Sequence, residues 1–125
     1  MGPGVKAVFD SCILIDYLKG IEEARVEIRS ATESFISVVS WIEVLAGART
    51  TDQEDQARAF LRRFEVVDLD RNLADLATSE RRNRRLRLPD AVILATAERV
   101  GGVLVTRNTK DFDLTHPRVR VPYTL

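Results

Sequence analysis

Val5-Lys6-Ala7-Val8-Phe9-Asp10-Ser11-Cys12-Ile13-Leu14-Ile15 is the stretch on which the fold turns. Its first half is a short apolar run containing β-branched residues and reads as a buried strand over Val5–Phe9. An acid, Asp10, ends the strand. Ser11 is then placed to cap a helix that runs to Leu18 and closes at Lys19-Gly20.

The same alternation continues outward from this unit. Glu22–Ser30 reads as a helix, Ser34–Ser37 as a strand and Val39–Ala48 as a helix. Thr51 or Asp52 opens another helix, with Ala57, Phe60, Leu61 and Phe64 at helical spacing. Glu65–Leu69 reads as a third strand, and Asp70 caps a helix whose Leu73, Leu76 and Ala77 share a face. Pro89 stands near the start of the next helix, where a missing amide proton costs little. That helix runs to Val100 and stops at Gly101-Gly102; Val103–Val105 and Val119–Val121 read as the last strands. No repeat, linker or low-complexity stretch interrupts the pattern. The expected fold class is α/β, a mostly parallel central sheet with helices on both faces, formed by residues 1–125 as one domain. Ligands in such open sheets bind beyond the carboxyl ends of the strands. Asp10 and Thr106 both fall just past an expected strand end.

At 45% hydrophobic and 30% charged, the 125 residues are too apolar for wholesale disorder. The 19 basic and 19 acidic residues cancel, which excludes a uniformly basic nucleic-acid coat but not a local basic patch. A single cysteine, Cys12, makes neither an intrachain disulfide nor a thiolate zinc cluster. No apolar run approaches the roughly 20 residues of a membrane helix. The start, Met1-Gly2-Pro3-Gly4-Val5-Lys6, lacks the apolar core of a signal peptide. The expectation is a cytoplasmic protein without a membrane segment.

Three acids sit in apolar surroundings. Asp10 ends a buried strand, Glu43 lies inside Val38-Val39-Ser40-Trp41-Ile42-Glu43-Val44-Leu45-Ala46-Gly47, and Asp90 opens Ala91-Val92-Ile93-Leu94-Ala95. An isolated carboxylate is costly to bury unless it is paired or bound to a metal. Capping or an ion pair accounts for any one of them; convergence on a divalent cation accounts for all. Hard oxygen ligands without a His or Cys cluster suit Mg²⁺ or Mn²⁺. Asp111 is a candidate fourth acid, with Thr106 and Asn108 offering neutral oxygens and Ser11 beside Asp10. Asp113 reads as a solvated turn residue, and His116, before Pro117, as incidental. Trp41 and Tyr17 read as core or dimer-interface residues.

Val8-Phe9-Asp10-Ser11-Cys12, Ser37-Val38-Val39-Ser40-Trp41-Ile42-Glu43-Val44-Leu45, Leu88-Pro89-Asp90-Ala91-Val92-Ile93-Leu94-Ala95 and Leu104-Val105-Thr106-Arg107-Asn108-Thr109-Lys110-Asp111-Phe112 resemble the four motifs of PIN domains. Among these, the chain most resembles the VapC-type toxins of bacterial toxin–antitoxin pairs. The likeness spans residues 5–112 with the motifs in order. It implies a Mg²⁺-dependent endoribonuclease that is inhibited by a VapB-like antitoxin and is usually a homodimer. Asp10, Glu43 and Asp90 match family acids; the fourth stands at Asn108 in some members and at Asp111 in others. Cys12 occupies a position more often held by Asn or Ser. Asp10 and Asp90 are then the principal metal ligands, while Glu43 and Asp111 complete the site or handle the water.

Arg81-Arg82-Asn83-Arg84-Arg85-Leu86-Arg87 puts five arginines in seven residues just before Asp90. Guanidinium forks suit phosphates, so Arg84, Arg85 and Arg87 are candidate RNA contacts. The alternative is a helix C-terminus whose arginines favour the dipole and stay solvated. Two other functions are open. A receiver-like phosphoacceptor would use Asp68 and Thr106, but Asp10 lacks a paired acid, and Glu43 and Asp90 go unexplained. A non-catalytic domain binding RNA or a partner would not require intact acids at every motif.

Overall fold

Among residues 4–125, which the computed structural model describes, strands and helices alternate as the hydrophobic pattern predicts. The reading of residues 1–3 lies outside this range. The elements are β1 (Lys6–Phe9), α1 (Ser11–Leu18), α2 (Glu22–Ser30), β2 (Glu33–Ser37), α3 (Val38–Ala46) and α4 (Thr51–Leu61). They continue with β3 (Glu65–Val67), α5 (Arg71–Arg84), α6 (Leu88–Val100), β4 (Val103–Val105) and β5 (Val119–Arg120). No described helix is long and apolar enough to cross a membrane.

The strands pair in parallel in the order β3-β2-β1-β4-β5. Successive residues of a strand face opposite sides, and each side has its own core. Ala7, Phe9, Ile36 and Val105 face the core built with α1 to α4, where Ile13, Leu14, Phe60 and Leu61 are buried. Val8, Phe35 and Leu104 face the core built with α5 and α6, where Leu73, Ile93 and Leu94 are buried. The result is the expected α/β/α arrangement.

From β1 the chain steps outward through β2 and β3, then returns to place β4 on the other side of β1. The β1–β4 boundary is therefore the switch point, where a crevice opens beyond the strand ends. Gly102 sets this contact: a Cβ there would lie 2.5 Å from the carbonyl oxygen of Lys6, so only glycine lets β4 approach β1. Gly101, at φ +70°, takes the left-handed turn that ends α6 just before it. The register pairs Phe9 with Val105, and the Asp10 N–H donates to the Val105 carbonyl at 3.0 Å. Asp10 and Thr106 are thereby side by side.

Some local expectations give way. Asp10, not Ser11, caps α1, its carboxylate accepting the Ser11 N–H at 2.8 Å. Strand β3 stops at Val67, and Leu69 turns outward. Leu76 is exposed, because α5 meets α6 along Leu73, Ala77 and Glu80, a narrower stripe than the apolar pattern suggests. The receiver alternative fails on topology. Receiver-type sheets run 2-1-3-4-5 and set the third strand beside the first; here β2 separates β3 from β1, so Asp68 cannot join Asp10.

Candidate metal centre

Asp10 is buried where β1 meets α1. One oxygen, Oδ1, accepts the Ser11 N–H at 2.8 Å, and the other, Oδ2, accepts the Thr106 hydroxyl at 2.7 Å. Burial pushes the carboxyl's pKa up, while the Thr106 and Ser11 hydrogen bonds oppose the shift. Thr106 is fully buried and also accepts the Asn108 N–H at 3.0 Å, so the end of β4 fixes the following loop. Asn108 in turn holds that loop. Its Oδ1 accepts the N–H groups of Lys110 and Asp111, both at 3.2 Å, and its Nδ2 donates to Asp111 at 3.0 Å.

Asp90 lies in the first turn of α6, where the helix dipole favours an acid. That helix is buried continuously from Asp90 to Ala97 because the sheet lies on one side and α5 on another, which is why its sequence is apolar all round. Asp90 Oδ2 is buried and has no hydrogen-bond partner among the described residues. Its pKa is pushed up to about 6, first by burial, then by the charges of Asp10, Asp111 and Glu43, against the pull of Arg87. Glu43 comes from α3, whose N-terminus is fixed by Ser37 accepting the Val39 N–H at 3.0 Å. Partial burial and the nearby Asp10 charge also raise Glu43.

Asp10, Glu43 and Asp90 line one open cleft of about 290 Å³, together with Ser11, Cys12 and Asn108. The Cys12 thiol supplies polar contacts where an amide or hydroxyl is commoner: its Sγ donates to Asp10 Oδ2 at 3.7 Å and lies 3.6 Å from Thr106 Oγ1. Asp111 stands one hydrogen bond behind Asn108 and does not line the cleft itself. The arginine run divides. Arg87 lines the cleft, its Nη2 donating to Asp111 at 3.0 Å and its Nε lying 3.8 Å from Asp90 Oδ2. Arg84 turns to Glu80 at 2.8 Å, and Arg85 is exposed at the left-handed end of α5. Trp41 packs against the first core, and Tyr17 stacks on Phe60 with ring centroids 4.2 Å apart.

Local reading did not single out two further groups. Arg107 also lines the cleft and is paired with Asp16, a buried acid on α1 that also accepts the Tyr123 hydroxyl. The signal was Asp16 itself, an acid in the apolar run after Asp10. Away from the cleft, Glu80, Glu98 and His116 bring potential ligand atoms within 4.8 Å of one another. His116 Nδ1 accepts the Arg118 N–H at 3.0 Å, which puts the ring proton on Nε2 and leaves no imidazole lone pair for a metal. That leaves two carboxylates in the cluster, and Glu80 already accepts from Arg84 at 2.8 Å. The cleft is a candidate for a hard cation: Asp90 Oδ2 accepts no hydrogen bond among the described residues, the Asp10 and Glu43 carboxylates share its lining, and Arg87 is the cation nearest that oxygen.

Residues 7–115 match the family described as PIN domain. Among solved structures, a chain of a toxin–antitoxin complex from Klebsiella pneumoniae superposes with a TM-score of 0.89 at 38% identity, covering 95% of this chain and 99% of that one. FitAcB from Neisseria gonorrhoeae gives 0.77 at 17% identity, over 95% and 99% of the two chains. DNA-bound VapBC from Salmonella typhimurium gives 0.74 at 23% identity, over 93% and 97%. The last two are likenesses of fold alone. Comparison with curated proteins finds no significant match.

Proposed function

The chain belongs to the PIN domain family, and from that premise we propose that it is the toxin of a VapBC-type pair, a Mg²⁺-dependent endoribonuclease. The observation that carries this is a buried Asp90 oxygen that accepts no hydrogen bond, in a cleft shared with Asp10 and Glu43. Asp10 and Asp90 would hold the ion, with Ser11, Thr106 and Asn108 orienting the carboxylates around it. A bound Mg²⁺ supplies an acidified water and neutralises charge on the phosphodiester.

The chain's own residues do the rest. Thr106 and Ser11 keep Asp10 in one orientation, so no reorganisation is needed at the moment of reaction. Glu43, more open to solvent and raised in pKa, is suited to accept a proton from an attacking water. Asp111 holds Asn108 and Arg87 rather than facing the cleft, which makes Asn108 the nearer fourth position. Arg87, exposed at the cleft, offers a cation to the RNA backbone.

A VapB-like antitoxin would inhibit by presenting a basic side chain to Asp10, Glu43 and Asp90, because a cation there relieves the same repulsion as the metal. A co-purifying inhibitor whose footprint avoids all of these acids would contradict that. The function itself is tested by incubating the protein with total RNA and Mg²⁺ and mapping cut sites at nucleotide resolution. Internal cuts should appear, and chelator, Asp10→Asn or Asp90→Asn should abolish them. No cutting, or cutting indifferent to chelator and to both substitutions, overturns the proposal.

A further inference from the structure

We propose that Arg107 contacts the phosphate being cleaved, held by Asp16 and Tyr123 so that the free edge of its guanidinium faces the cleft; this rests on the nuclease assignment above. Arg107 follows Thr106 directly at the end of β4, and its backbone N–H is directed at Cys12 Sγ at 3.4 Å. Its side chain reaches Asp16 in a bidentate pair, Nε to Oδ2 at 2.7 Å and Nη2 to Oδ1 at 2.9 Å. Asp16 is only 2% exposed, and the Tyr123 hydroxyl donates to its Oδ2 at 2.8 Å. The carboxylate is thus fixed from both sides, by a residue near the chain's end and by one beyond β4.

A guanidinium has five N–H donors in a rigid fork. The pair with Asp16 uses the Nε edge. Among the described residues Nη1 has no acceptor, and the side chain lines the same cleft as Asp10, Glu43 and Asp90 while remaining 30% exposed. Arg87 differs in the respect that matters. It is 77% exposed, and its partners are Asp111, behind Asn108, and Asp90 in the acidic cleft itself. Arg107 has its counter-ion behind it, outside that acidic group, so its forward edge stays available to an anion. A bidentate fork anchored on a buried acid is also rigid. Rigid donors aimed at developing negative charge stabilise a transition state without reorganising. A phosphodiester lying in this cleft would meet the positive charge of the Arg107 Nη1 edge. Arg107 forms and breaks no covalent bond in this role; Asp16 and Tyr123 are positioning residues.

The experiment uses the full chain, Mg²⁺ and an RNA oligonucleotide spanning a mapped cut. Arg107→Gln should lower kcat by about 100-fold, the scale seen when one preorganised donor is removed, with a smaller change in KM. Its Mg²⁺ affinity, measured by calorimetry without RNA, should match wild type. Arg107→Lys keeps the charge but loses the fork, and should recover part of kcat. Tyr123→Phe leaves the Arg107 pair in place but frees one side of Asp16, and should lose several-fold in kcat with KM and Mg²⁺ affinity unchanged. A purely structural ion pair would lower the melting temperature and leave kcat alone. Folded Arg107→Gln with wild-type kcat overturns the role; if that variant does not fold, wild-type kcat in both Arg107→Lys and Tyr123→Phe overturns it. Absence of cutting by the wild type overturns the nuclease assignment and this role with it.

Discussion

Arg87 and Arg84 stand three residues apart and do different work. Arg87 spans Asp111 and Asp90 at the mouth of the cleft, an internal cation partly standing where a metal or an RNA phosphate would be met. Arg84 is tied to Glu80, a buried acid of α5. In salt titrations of RNA binding, performed in an Asp10→Asn background to prevent cutting, Arg87→Ala should reduce the log–log slope by roughly 0.7. Arg84→Ala should leave the slope unchanged and lower the melting temperature, because Glu80 then loses its ion partner. Equal slope changes in both variants would return Arg84 to the RNA surface. The sequence presents these arginines as one basic run; only the left-handed turn at Arg85 sends its two ends to different partners. Asp10, Glu43 and Asp90 were legible singly because each is a charge in apolar company. Arg107 was not, since an arginine after a strand is ordinary until its partner, 91 residues earlier, is known.

At the scale of elements, α5, α6 and the segment before β5 meet at Glu80, Glu98 and His116. Glu98 is pushed up to about 7, first by burial and then by its hydrogen bond to Glu80 and that residue's charge. Its ordinary value is 4.5, so between these limits the folded state binds a proton that the unfolded chain has released. This contribution therefore makes stability fall as pH rises from 4.5 to about 7 and level off above. His116 acts in the opposite sense: burial lowers it below 6.5, favouring the neutral ring in the fold, so its contribution rises with pH just below that value. Glu98→Gln should melt a few degrees above wild type at pH 8 and lose that advantage near pH 4. Thermal melts across this range check it; a variant less stable than wild type at pH 8 would mean that Glu98 is a needed ion partner. Element boundaries were readable where the signal is local, as at Pro89 and Gly101-Gly102. The face of α5 was not, because a buried Glu80 replaces the apolar residue that periodicity looks for.

At the scale of the molecule, strand–helix alternation specifies a parallel α/β sheet but not the order of its strands. That order is what brings the acids together: β1 delivers Asp10, its neighbour β4 delivers Thr106 and Asn108, and α6 and α3 bring Asp90 and Glu43 to the same crevice. Held this way, like charges oppose folding of the metal-free chain. A cation that binds the fold and not the scattered residues of the unfolded chain must stabilise it by mass action. Thermal melts of wild type and Asp90→Asn, each in chelator and in Mg²⁺ at constant ionic strength, test that convergence most directly. At a hundredfold excess over its dissociation constant, Mg²⁺ should stabilise wild type by about 2.7 kcal/mol. For a domain of this size that is a shift on the order of ten degrees. Metal-free Asp90→Asn, relieved of one charge held among the like charges of Asp10, Asp111 and Glu43, should melt at or above wild type and respond less to Mg²⁺. If it instead melts well below wild type in chelator and keeps the full Mg²⁺ shift, Asp90 is a structural acid and the cation lies elsewhere.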